Sequence, residues 1–178
     1  MFKLTKAMQA LEGALGASPS GIALTWNTPV QFDPALVGHL VARYDELTAQ
    51  FEAVMRRIED DAAVAEREVR DCADRLHKLR HTESLKLYPV IARGLSPDPI
   101  ARRLFWQSRL VMLGLARRVL RRFDELVRDL RTGSDVVASA EHVAKALKEY
   151  RQRNETEMYP LYNLVGQHAR KARTAQVA

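Results

Sequence analysis

TESLKLYPVIARG, residues 82–94, and RNETEMYPLYNLV, residues 153–165, stand in one register at an offset of 71. Leu87-Tyr88-Pro89 falls on Met158-Tyr159-Pro160. Carried backwards, the offset pairs Glu83 with Asn154, Leu79 with Tyr150, Leu76 with Leu147 and Cys72 with Val143. Core falls on core and polar on polar. A proline near the end of a long helix removes a backbone donor and bends the chain. Two such prolines in one register imply two helices with equivalent roles in a pseudo-two-fold bundle.

Outward from these segments the apolar residues recur at helical spacing in four long stretches. The first is expected from Asp33-Pro34, an N-cap followed by a proline at the first helical position, with a stripe of Leu36, Leu40, Tyr44, Leu47, Phe51, Val54 and Ile58. The second runs from about Asp61 to Arg93 through Ala65, Val69, Cys72, Leu76, Leu79, Glu83, Leu87 and Val90, and Gly94 ends it. The third starts near Asp98-Pro99 with Leu104, Ser108, Val111, Leu115, Val119, Leu126 and Leu130 inward. The fourth starts near Ser134 and carries Val136, Ala140, Val143, Leu147, Tyr150, Asn154, Met158 and Leu161. Connections this short predict neighbours that run antiparallel, hence an all-α, up-down four-helix bundle over 34–165.

On either side of the bundle the reading is coarser. Residues 1–33 form an amphipathic helix over 1–16, a GASPSG linker and an extended arm, IALTWNTPVQ, that Trp26 anchors. The helix docks on the bundle or a partner, with a weak membrane-surface contact as the second reading. Residues 166–178 read as a basic, frayed tail. The oligomeric state is left open.

Composition narrows the function by exclusion. No stretch has the roughly 20 apolar residues of a membrane span, and MFKLTKAMQALEGALG lacks the continuous apolar region and cleavage site of a secretory leader, so a cytoplasmic location is expected. The single cysteine, Cys72, lies on an apolar stripe and reads as a buried structural thiol. The net charge of +6 is spread among acids along amphipathic helices, without interleaved aromatics, and so suits acidic partners more than specific nucleic-acid binding. No Ser/His/Asp, Cys/His or glycine-rich phosphate motif stands at a useful spacing, and the chain is not expected to be an enzyme.

The residue that asks for an explanation is Glu83, an acid on an apolar stripe. A carboxylate there is costly unless it is paired, hydrogen-bonded, protonated or metal-bound. Inward carboxylates and histidines on facing helices are also how bundles build di-metal sites.

Here the chain resembles the hemerythrin-like, or HHE cation-binding, domains over roughly residues 22–165. The resemblance rests on the four-helix order, the Trp-bearing arm, and the HTESLKLYPVI and RNETEMYPLYNL segments. It implies a di-iron site that binds or senses oxygen or nitric oxide. Glu83 matches the family's second-helix carboxylate. Leu79, Tyr44 and Tyr150 stand where the family places histidines, and Asn154, or Glu155 at the longer spacing, stands at the fourth-helix acid. The third helix has no histidine, and His39, His77, His81, His142 and His168 fall off the inward stripes.

The expectation is therefore an interior polar cluster of Tyr44, Glu83, Tyr150, Asn154 and Glu155 with no metal, in a chain that acts as a regulatory or signalling protein-interaction module. The alternatives are an altered metal site holding iron or another ion, and a small-molecule pocket at the same place.

Overall fold

The structure, a computed structural model, describes residues 31–177 apart from residue 59, and over that span consists of helices joined by short turns, with no strand. The helix, linker and Trp26 arm expected before residue 31 lie outside the described residues.

Four helical rods make the fold. The first is α1 (Leu36–Met55). The second joins α2 (Ala62–Thr82) to α3 (Tyr88–Gly94) through a π-helical turn at Glu83–Leu87. The third is α4 (Pro99–Thr132). The fourth joins α5 (Val136–Arg153) to α6 (Tyr159–Val177) through a second π-helical turn at Asn154–Met158. Here α1 packs on α2 and α5, α4 packs on α2 and α5, and α3 packs on α6. The ring closes around one apolar core.

Local chemistry sets the ends. Asp61 accepts from the backbone N–H of Ala63 and Val64, and Asp98 from those of Ile100 and Ala101, so both satisfy donors a helix start leaves open. Asp33 caps only a turn. Its carboxylate takes the Ala35 N–H, its carbonyl takes the Leu36 N–H, and α1 begins two residues after Pro34. Gly133 closes α4 at φ 68°, in the left-handed region. Gly133→Ala is expected to cost about 1 kcal/mol, read as a lower urea midpoint at unchanged slope.

The two proline sites are built alike. Tyr88 donates its N–H to the Glu83 carbonyl and Tyr159 to that of Asn154, each five residues back. The wider turn lodges an extra residue just before Pro89 and Pro160, where an α-helical ladder would fail. Beyond the turns the equivalent positions Gly94 and Val165 meet, and a Cβ on Gly94 would lie 2.0 Å from a Val165 methyl.

Two expectations about the helices are corrected. In α4 the buried set is Ala101, Phe105, Ser108, Met112, Leu115, Ala116, Val119, Phe123, Leu126 and Leu130, while Leu104 is half-buried and Val111 exposed. Neighbouring positions (Leu104/Phe105, Val111/Met112) are both apolar, so hydropathy fixes the helix but not its phase. The segment expected to fray from residue 166 is helical as far as Val177, and α6 buries Gly166 and Ala169. Gly166 is small because Phe32 lies on it, where a Cβ would come 2.0 Å from the ring. Phe32 also packs on Tyr162, ring centroids 4.9 Å apart, and ties the described end of the arm to α6.

Candidate functional site

Glu83 is fully buried at the start of the first π-turn. Its Oε2 accepts from the Tyr150 hydroxyl at 2.6 Å. Its Oε1 accepts from Tyr44 at 3.3 Å and from Tyr159 at 3.4 Å. Asn154 donates through Nδ2 to the Tyr44 oxygen at 3.4 Å, while its buried Oδ1 has no partner among the described residues. Thus α1 supplies Tyr44, α5 supplies Tyr150, the second π-turn supplies Asn154, and α6 opens with Tyr159.

Burial pushes the Glu83 carboxyl up to about 7, against the opposing pull of the Tyr150, Tyr44 and Tyr159 hydroxyls. Burial likewise raises Tyr44 and Tyr150 well above an ordinary phenol, with the Glu83 charge adding to it. The phenols stay neutral donors, and the carboxyl titrates near neutrality. Cys72 is buried in the core below, its thiol pushed up to about 12 by burial, and is chemically quiet.

Of the expected cluster, Tyr44, Glu83, Tyr150 and Asn154 converge. Glu155 does not. It is exposed and accepts from Arg151 Nε at 2.8 Å, because the turn presents Asn154 to the interior and carries the next residue round to the surface. Arg151 also holds Asp45 of α1 at 2.7 Å, so Glu155 belongs to a surface network.

Tyr159 was not expected in the cluster. On a regular α-helix the fifth residue after Asn154 faces away, and only the i→i+5 turn swings it back. Tyr88, five residues after Glu83, gains its place in the same way. The Tyr-Pro pair repeated at both sites was the available signal.

One side of this cluster reaches the surface through a cleft of about 260 Å³ between the end of α2 and α4. Glu83 and Tyr150 lie at its buried end, and Trp106 at its exposed rim. Arg109 crosses it, its guanidinium carbon 4.7 Å from the Trp106 ring centroid and 5.2 Å from that of Tyr88.

The positions at which the resemblance implies iron ligands present to the interior one carboxylate, two phenols, an amide and the aliphatic side chain of Leu79. His39, His77, His81 and His142 are exposed and His168 half-buried, none of them in the cluster. Among the described residues no three His, Cys, Asp or Glu side chains gather into a metal-holding group. That donor set does not fit an imidazole-based iron pair, since it offers one inward carboxylate and no imidazole nitrogen.

The chain matches no protein-family model, no curated protein and no solved structure. Among the described residues no helix is long and apolar enough to cross a membrane.

Proposed function

We propose that this chain is a hemerythrin-like, up-down antiparallel bundle that has given up its di-iron site and works in the cytoplasm as a regulatory or signalling module, by binding an acidic protein partner. The reading gives it neither a catalytic centre nor a cofactor. The observation that carries it is the outward face of α4. From Pro99 to Phe123 the helix has seven arginines and no acid. Among the described residues only Arg118 and Arg122 of these seven hold carboxylates. On the same helix Ile100, Trp106, Leu110 and Val111 are 63%, 40%, 66% and 42% exposed.

Exposed tryptophan and arginine beside aliphatic anchors is the composition that concentrates binding energy at protein interfaces. The unbalanced positive charge selects an acidic surface and speeds its approach. The hemerythrin-like part is supported by the duplicated turn, by the closed ring of helices and by the inward position of Glu83.

Proteins captured by the purified chain would be compared with those captured by a Trp106→Ser/Leu110→Ser variant. The expected result is a partner of net acidic character, lost in the variant and released by added salt, while circular dichroism shows the variant folded. Retention of the same partners by the folded variant overturns the reading.

A metal-binding module is the second reading, and the unpartnered Asn154 oxygen beside a buried carboxylate favours it. Elemental analysis with an optical spectrum after growth in iron-rich medium separates the two. Stoichiometric iron in the purified protein would overturn the metal-free reading.

A further inference from the structure

The cleft above Glu83 has three chemically distinct zones. Its opening carries Arg80 and Arg109, neither of which forms an ion pair with a carboxylate among the described residues. Arg109 is instead held by the faces of two aromatic rings, which fixes its position without neutralising it. The walls are Trp106 and Tyr88 together with Met112 and Leu113 of α4, a surface suited to a flat apolar body. At the inner end stand the Glu83 carboxyl and the Tyr150 ring, both buried. The volume, about 260 Å³, lies just under the range of drug-sized sites, which begins at about 300 Å³.

We propose that this cleft binds a single-ring aromatic carboxylate bearing a hydroxyl on the far side of the ring. The carboxylate meets the Arg80 and Arg109 guanidiniums at the opening, where planar forks match its two oxygens. The ring lies against Trp106, Tyr88 and Met112. The hydroxyl donates to Glu83, whose acceptor capacity exceeds what Tyr150 alone uses on Oε2. Each zone asks for a different part of one molecule: an anion, an apolar plate and a donor. A plain aliphatic acid lacks the second, and a neutral phenol lacks the first. The site stands whether or not the protein-partner reading holds. Where both hold, the ligand reaches Trp106 and Leu110, which the cleft shares with the exposed face of α4, and so regulates that face.

Calorimetric titration of the purified full chain tests this with three probes: para-hydroxybenzoate, benzoate, and para-hydroxybenzyl alcohol. Para-hydroxybenzoate is expected to bind saturably with one site per chain. Benzoate is expected to bind several-fold more weakly, and the alcohol more weakly still, by roughly ten-fold. Arg80→Gln and Arg109→Gln are each expected to lower affinity by roughly ten-fold, with folding checked by circular dichroism and the other variant standing in for one that unfolds. Arg67→Gln, an exposed arginine of α2 outside the cleft, is expected to leave binding unchanged. The site is overturned if para-hydroxybenzoate shows no saturable binding at millimolar concentration. It is equally overturned by equal affinity for the neutral alcohol, or by full affinity in folded variants of both cleft arginines. No partner protein enters the measurement, so its failure is separate from failure of the interaction reading.

Discussion

Glu83→Gln is expected to remove most of the decline in stability that the wild-type protein shows as pH rises from about 5 to 8. Burial raises the folded-state carboxyl from its ordinary 4.5 to about 7, so the folded protein holds a proton that the unfolded chain releases. The stability this group contributes is complete below the ordinary value and is lost as pH climbs through the folded one. With about 1.4 kcal/mol per pH unit across that window, the loss is on the order of 3 kcal/mol. Within it the neighbouring groups do not change charge. Tyr44, Tyr88, Tyr150 and Tyr159 are all pushed above an ordinary phenol, chiefly by burial.

Glutamine keeps the shape, stays neutral and still accepts a hydroxyl, but its amide end cannot accept one. The variant is therefore expected to be slightly less stable than wild type at pH 5 and as stable or more stable at pH 8. Urea unfolding of both chains across this range checks it, since contributions common to both chains cancel in the difference. Parallel profiles for the two chains would mean that Glu83 is not the titrating group.

Much of this site was legible in the residues because burial and period are written together. The echo at an offset of 71 located both bent helices, and placing Glu83 on the stripe of Leu76 and Leu79 located the carboxyl. Tyr44, Tyr150 and Asn154 fell on inward stripes for the same reason. What escaped depended on phase. The resemblance admits an acid four or five residues after Tyr150 and so includes Glu155, whereas the turn presents only Asn154 inward. Tyr159 was missed because an α-helical period was carried across a π-turn. In α4, apolar residues fill two adjacent phases, and only packing against α2 and α5 selects Phe105 and Met112 over Leu104 and Val111. The surplus that packing rejects is the exposed face on which the proposed interaction rests.

The same physics predicts an unequal ranking among three phenols that look alike in sequence. Tyr150→Phe is expected to cost about 2–3 kcal/mol at pH 8 and about 1 kcal/mol at pH 5. Phenylalanine fills the ring's space, so the loss is the hydroxyl, and its 2.6 Å bond is the shortest that Glu83 receives. Above neutrality that bond is made to a charge already deprived of water, and removing it leaves a carboxylate oxygen without its donor. At pH 5 the carboxyl is protonated, and the same hydroxyl makes only an ordinary bond. Tyr159→Phe, which gives up a 3.4 Å contact, is expected to cost less than 1 kcal/mol. Tyr44→Phe falls between them, since it loses a 3.3 Å bond to Glu83 and also strands the Asn154 amide that donates to its oxygen. By linkage Tyr150→Phe also drives the Glu83 titration upward, so the falling limb of the stability profile extends to higher pH. Repeating Tyr150→Phe in the Glu83→Gln background isolates the pair: with no charge to stabilise, the penalty at pH 8 should shrink to its value at pH 5. A penalty that stays the same at both pH values and in both backgrounds would place the role of Tyr150 in packing alone, and Glu83 would then need another source of solvation.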